Sequence, residues 1–301
     1  MNGSLNGLYQ LLGISKQAVH AYDQRQKIFD KKLMDLMVEV DELRSEHPGC
    51  GVEKMYYTLK PDFIGRDRFI EHFIELGYRV KRIRNYHRTT LPASHKYPNL
   101  IEGLLVKSKN TVWQSDITYF DVGGKFYYIV FIIDVYTRQI VGYCVSDNLR
   151  ADANLKALKM AIKSHGAPKI HHSDRGSQYI DKRYVKLLTD NGAEVSMGLQ
   201  AQDNAYAERI NGTIKNDYLK HWGIKSFNEL QIKVKRAVDH YNSKRIHNNL
   251  PNRSTPDEIE KLMERYPLIE EIYAPDRPIP SDETFHWNEE VKENELFCVI
   301  Y

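Results

Sequence analysis

Thr111-Val112-Trp113-Gln114-Ser115-Asp116-Ile117-Thr118-Tyr119 is a β-type run with a single acid at its centre. Side chains alternate in direction along a strand, so Gln114, Asp116 and Thr118 share one face. The next run, Phe126 to Ile133, is aromatic and β-branched throughout, as expected of a strand covered on both faces. Gly123-Gly124 between the two reads as a hairpin turn. A third strand, Ile140 to Val145, follows Tyr136-Thr137-Arg138, so the segment opens as an antiparallel meander.

The period then changes. From Ala151 to Ser164, Leu155, Leu158, Ala161 and Ile162 recur at helical spacing, and Gly166 and Pro168 stop the helix. Ile170 to Ser173 is a short strand ending at Asp174, Tyr184 to Thr189 a helix closed near Gly192, and Glu194 to Ser196 a fifth strand. A last helix runs from about Asn204 to Leu219. The order βββαβαβα predicts an α/β fold with a mixed five-stranded sheet in which the first and fourth strands lie side by side. Asp116 and Asp174 are then neighbours, and a helix packed across that edge delivers Glu208. Lys215 lies two helical turns after Glu208 and points the same way.

A chain with 40 Asp and Glu residues offers many carboxylate triples, so context must choose among them. Asp203, Asp134 and Glu194 compete for the third place. Asp203 reads as the cap of the helix carrying Glu208, and Asp134, at a strand end beside Arg138, as the organiser of a turn. His171 and His172 are sent to opposite faces by the strand and no cysteine pair follows them, so they read as no zinc site; His172 reads as part of the site wall.

Trp113 to Thr118, His172-Ser173-Asp174-Arg175-Gly176-Ser177-Gln178-Tyr179, Asp203-Asn204-Ala205 with Glu208 and Lys215, Tyr241-Asn242-Ser243-Lys244-Arg245-Ile246-His247 and Thr255-Pro256 occur in this order over about half of the chain. Together they resemble the catalytic core of the IS-three family of bacterial insertion-sequence transposases, relatives of retroviral integrases. The resemblance implies an RNase H-like fold preceded by helix-turn-helix-like DNA-binding segments. It implies cleavage at element ends followed by strand transfer, in which a 3′-OH attacks a phosphodiester. Asp116, Asp174 and Glu208 are then the catalytic acids and the ligands of two Mg²⁺ ions, with Mn²⁺ able to substitute, and Lys215 holds a DNA phosphate. Double-stranded DNA, a homodimer or higher oligomer and a companion reading-frame protein are the implied partners. The loop between Asp174 and Glu208, around Leu199 to Gln202, is two residues shorter than is usual in the family.

Two ions flanking a phosphodiester activate the attacking oxygen and neutralise the leaving one. Mg²⁺ takes hard oxygen ligands and keeps several waters, so three carboxylates suffice. An RNase H-like nuclease would share the triad without joining ends; a non-catalytic DNA-binding protein would have no need of three convergent acids.

Around residues 99–222, the core, the chain falls into four further segments. Residues 1–46 are helical, with 7–26 reading as two short helices around Gly13, either a helix-turn-helix remnant or a plain pair, and Ser15 a candidate N-cap. Residues 27–46 form a charged helix with an apolar stripe. Residues 47–98 hold a helical pair, Val52 to Leu59 and Arg66 to Leu76, with Arg66, Arg68 and His72 available to one side. The resemblance places a helix-turn-helix segment here and so implies DNA contact rather than a purely structural pair, and a basic stretch with Arg79, Lys81, Arg82, Arg84 and Arg88 either continues that contact or is a solvated linker. Residues 223–265 begin with the capping-box pattern Ser226 to Glu229; Arg245 and His247 either reach DNA or stabilise the end of that helix. Residues 266–301 are acidic: from Pro267 onward the net charge is −7, against +3 for the whole chain, and the basic body suits a polyanion. Three cysteines without CxxC spacing suggest neither disulfides nor a cysteine zinc site. No apolar run approaches the roughly 20 residues that span a bilayer. A cytoplasmic, nucleoid-associated bacterial protein with no membrane role is expected.

Overall fold

A computed structural model describes residue 9 and residues 13–80, 97–198 and 201–265, which fall into two units, residues 1–81 and 82–301. In the first, Gly13 takes a positive φ of 65° and Ser15 caps α1 (Lys16–Glu46), its hydroxyl accepting from Ala18 N at 3.1 Å. Most of the helix expected before Gly13 lies outside the described residues. The helix expected to stop near residue 26 does not stop: no Gly or Pro interrupts the chain before His47-Pro48, and one helix runs through. α2 (Val52–Leu59) and α3 (Arg66–Glu75) follow, ended by left-handed Lys60 and by Gly77. Their apolar faces close with Leu36 and Val40 over Met55, Phe69 and Phe73.

In the second unit, β1 (Val112–Val122), β2 (Lys125–Asp134), β3 (Ile140–Ser146), β4 (Ile170–Ser173) and β5 (Glu194–Met197) form one sheet in the order β3-β2-β1-β4-β5. β1, β2 and β3 pair antiparallel; β1 with β4 and β4 with β5 pair parallel. This is the predicted mixed sheet. Gly123 and Gly124, at φ 63° and 87°, make the hairpin turn, a conformation that glycine adopts without steric cost. β2 is buried on both faces, as its composition requires. Ile129, Phe131 and Ile133 enter one core with α6 (Ala205–Thr213) and α7 (Phe227–Ser243). Val130 and Ile132 enter another with α4 (Ala151–His165) and α5 (Lys182–Asp190). β3 lies so close to α4 that a Cβ on Gly142 would run into the Ala157 carbonyl oxygen and come within 2.9 Å of Ala161 Cβ.

The helix expected over 204–219 changes pitch. After Thr213 it widens into a π turn, Ile214–Tyr218, and then tightens into a 3₁₀ turn, Leu219–His221. Ile214, Tyr218 and Leu219 are all buried across it, and Tyr218 Oη lies 3.1 Å from His240 Nδ1.

Two of the resembled motifs hold the fold together. Asn242, in α7, accepts from Ile140 N at 2.9 Å and donates to Ile140 O at 3.0 Å, which ties α7 to β3. Thr255 starts α8 (Pro256–Arg265): its Oγ1 accepts from Glu258 N, and Glu258 Oε2 accepts from Thr255 N at 2.7 Å. That is a capping box with proline at the first helical position.

Candidate active site

β1 and β4 bring the two aspartates together. Their parallel register runs from Val112 beside Ile170 to Ser115 beside Ser173, so Asp116 and Asp174 are the next residues of adjacent strands, where β4 ends and β1 continues against β2 alone. Gly176 N donates to Asp174 Oδ1 at 3.0 Å and holds the turn after β4. Glu208 lies in the first turns of α6, exposed, on the helix whose buried Ala207 and Ile210 pack on this sheet.

Asp116 feels both of the other acids, and Glu208 feels Asp174. Burial, and then the charges of Asp174 and Glu208, push the Asp116 carboxyl up to about 7, against the pull of hydrogen bonds from Ile117 N and Asn211. Burial also raises Asp174. Glu208, though open to solvent at its surface, is raised by partial desolvation of its carboxyl and then by Asp174. Like charges in a low-dielectric pocket resist ionising together, and a divalent cation relieves that repulsion with the hard-oxygen donors it prefers. The donor chemistry therefore fits such an ion. Among the described residues no three carboxylate, imidazole or thiol groups stand close enough to hold one ion together, so Asp116, Asp174 and Glu208 are not drawn into a single ligand set.

Lys215, in the π turn, lies over the Tyr119 ring at 5.3 Å. Burial and Lys220 lower its pKa while Asp116 pulls the other way, which puts it within electrostatic reach of the acids.

Several competing readings are decided by contacts. Asp134 is the centre of a turn, its carboxylate accepting from Asn110 N, Tyr136 N, Thr137 N and Thr137 Oγ1 at 2.7–3.0 Å. His171 and His172 do diverge: His171 Nε2 meets Tyr184 Oη at 2.9 Å and His172 Nδ1 meets Ser196 Oγ at 2.8 Å. His172 is fully buried, so it packs beneath the site rather than lining its surface. The expectation that Asp203 caps α6 is corrected. Asn204 is the N-cap residue and makes no capping bond with its side chain. Gln114 Oε1 accepts instead from Tyr206 N at 3.1 Å and Ala207 N at 3.4 Å, and Gln114 Nε2 donates to Asp203 O at 3.1 Å.

Arg245 is held by its neighbours within the fold. Its Nη2 bonds Asp217 Oδ2 at 3.1 Å, its guanidinium lies 5.6 Å from the Tyr241 ring centroid, and its side chain is 14% exposed. His247 packs on Tyr241 with ring centroids 4.7 Å apart, and its N–H donates to Ser254 O. Both serve the end of α7. In the first unit, Arg68 stacks over Phe29 at 4.5 Å, His72 lies against the same ring, and Arg66 bonds Asp67 at 2.8 Å, so α3 turns these cations toward its own neighbours. Arg79 is exposed. Lys81, Arg82, Arg84 and Arg88 lie outside the described residues.

The sequence reading named Asn204 within a motif without giving it a role, and gave none to Asn211. Asn204 Nδ2 donates to Ser115 O at 3.0 Å, and Asn211 Nδ2 donates to Asp116 Oδ2 at 2.7 Å. A signal for the second was available, because residues three apart on a helix share a face and Asn211 follows Glu208 at that spacing.

Two models of the integrase core domain match residues 107–201 and 193–256. The insertion element IS600 uncharacterized 31 kDa protein of Shigella sonnei is 31% identical over 260 residues, covering 81% of this chain and 94% of that relative. The putative transposase for insertion sequence element IS986/IS6110 of Mycobacterium tuberculosis is 30% identical over 214 residues, covering 65% and 76%. Among solved structures, the HTLV-2 integrase catalytic core domain in complex with magnesium is 21% identical with a TM-score of 0.43, covering 52% of this chain and 98% of that one. Among the described residues no helix is long and apolar enough to cross a membrane.

Proposed function

The chain belongs to the insertion-sequence transposases that carry an integrase core domain, DDE-type polynucleotidyl transferases acting on DNA, and from that premise we propose that Asp116, Asp174 and Glu208 are its catalytic acids. The observation that supports this most is the parallel register ending at Ser115 beside Ser173, which leaves the two aspartates adjacent at the edge of β4. The family uses divalent metal ions; here we assign two Mg²⁺ ions to these three carboxylates, with Mn²⁺ as a substitute. When bound, such ions supply Lewis-acid activation of the attacking oxygen and charge neutralisation at the leaving one.

The chain's own residues do the rest. Asp116 is oriented by the bond from Asn211, which leaves its carboxylate directed and partly desolvated. Glu208 rides on a helix stitched to the strand that bears Asp116. Lys215, close enough to sense Asp116, meets a backbone phosphate of the bound strand and orients it toward the acids. Arg79, with Lys81, Arg82, Arg84 and Arg88, contributes sequence-independent affinity for duplex. Joining an element end to a target brings more than one DNA segment together, so the active form is a homodimer or larger on DNA, working with a companion reading-frame protein in the bacterial cytoplasm at the nucleoid.

An end-joining assay with labelled element ends and Mg²⁺ tests the reading. Joined products from the wild type, with Asp116→Ala, Asp174→Ala and Glu208→Ala each reduced by at least ~10²-fold, are expected. Cuts without joining would make the protein a nuclease, and binding without cutting a non-catalytic DNA-binding protein. Undiminished joining by any of the three variants removes that residue from the site.

A further inference from the structure

We propose that Gln114 is a positioning residue for the reaction: its buried side-chain amide caps the helix that carries Glu208 from across the sheet and so fixes that acid relative to Asp116. The inference rests on the reading of Asp116, Asp174 and Glu208 as the ion-holding acids.

A helix leaves its first N–H groups without intrahelical partners, and a side-chain oxygen of the residue just before the helix normally accepts from one of them. At α6 that residue is Asn204, and its amide is engaged elsewhere, donating to Ser115 O. The capping role passes to the strand. Gln114 Oε1 accepts from Tyr206 N and Ala207 N while Gln114 Nε2 donates to Asp203 O. One amide thus grips the backbone on both sides of the helix start, immediately before Glu208. Gln114 is 1% exposed, so no water competes for these groups.

Gln114 and Asp116 stand two positions apart on one strand and point to the same face. β2 and β4 hold that strand from both sides. Gln114 therefore fixes the start of the helix, just before Glu208, against the strand that bears Asp116, while Asn204 and Asn211 tie the same helix to β1 on either side of it. Ala207, Ile210 and Ile214 keep α6 docked in the core without it, and Asn211 still reaches Asp116. Loss of the Gln114 amide should leave the protein folded with the Glu208 end of the helix less constrained.

Mg²⁺ demands near-ideal octahedral geometry, whereas the larger Mn²⁺ tolerates displaced ligands better. Misplacing Glu208 therefore has a signature that a merely structural residue lacks. The test uses the full chain with Gln114→Met, which keeps length and removes hydrogen bonding, and Gln114→Asn, which keeps the amide and shortens its reach. Thermal melting, Mn²⁺ binding by electron paramagnetic resonance without DNA, and single-turnover end cleavage in Mg²⁺ and in Mn²⁺ are measured. The expected result is a melting temperature within a few degrees of wild type, Mn²⁺ affinity lower by ~10-fold or more, as for loss of other groups that orient metal ligands, and cleavage that falls further in Mg²⁺ than in Mn²⁺. Unchanged Mn²⁺ affinity with an equal fall, or no fall, in both metals overturns the proposal and makes Gln114 a packing residue. Should Gln114→Met not fold, Gln114→Asn decides by the same two ratios. Asp116→Ala in the same assays separates this inference from its premise: retained Mn²⁺ binding and cleavage there sinks the triad itself, whereas an inactive Asp116→Ala beside wild-type-like Gln114 variants sinks only the role of Gln114.

Discussion

Arg245→Met should destabilise the core, and adding Asp217→Leu should restore most of what is lost. Arg245 Nη2 and Asp217 Oδ2 are 3.1 Å apart, with side chains 14% and 28% exposed. Removing one member of a fully buried pair costs about 3–5 kcal/mol, because the remaining charge is left without compensation. Solvent reaches both partners here, which trims the expected loss to about 2 kcal/mol. Replacing both with apolar side chains removes the two buried charges together, so the double variant should come within about 1 kcal/mol of wild type. Urea unfolding followed by tryptophan fluorescence reads this directly, since Trp113 is fully buried in the same unit. Binding and cleavage of element ends are measured in parallel. If Arg245 works through the fold, the double variant recovers both stability and DNA affinity. A double variant that regains stability while DNA binding stays lost would refute the reasoning and return Arg245 to the DNA surface.

Other consequences are open to the same measurements. The raised Asp116 carboxyl makes the ion-free protein lose stability as pH rises from acid to neutral. Its folded pKa, about 7, lies above the ordinary 3.8, so the stability it contributes is complete below about pH 4 and is lost as pH rises through 7. In EDTA the wild type should therefore weaken relative to Asp116→Asn over that window, by at most about 4 kcal/mol, and saturating Mn²⁺ should close the gap; a flat difference across the window contradicts it. Gly142→Ala should cost about 1–3 kcal/mol by overpacking β3 on α4, and a urea midpoint equal to wild type would show that the helix can retreat. Thr255→Ala should cost about 1 kcal/mol through loss of the α8 cap, with Thr255→Ser close to neutral; equal losses in both variants would argue against capping.

The meander was legible because its signals are local: alternation in β1, a run of β-branched and aromatic residues in β2, and two glycines between them. The neighbouring of β1 and β4 followed from element order, and Asp116 and Asp174 with it. What escaped is non-local. Asp203 has the right identity and place for a cap, yet the N–H groups of α6 are met by Gln114, 89 positions earlier than Asp203, and no local pattern marks such a bond. The boundary expected near residue 26 failed for a simpler reason, since a change of composition without a breaker does not end a helix. Arg245 and His247 were singled out through the motif they belong to, and a motif does not say whether its residues face a ligand or the core. Asn242 and Thr255-Pro256, from the same stretch, serve architecture.

The π turn at Ile214–Tyr218 couples the length of the chain to the direction of its side chains. A widened turn amounts to one extra residue threaded into an otherwise regular helix. Removing a residue inside it lets ordinary pitch resume while the flanks, Glu208 before and Leu219 after, keep their places. Side chains within the turn are re-aimed by up to roughly 100°, Lys215 among them. Shortening the chain at this point should swing the lysine away from the acids, at a cost in the packing of Ile214 and Tyr218, which the same turn buries.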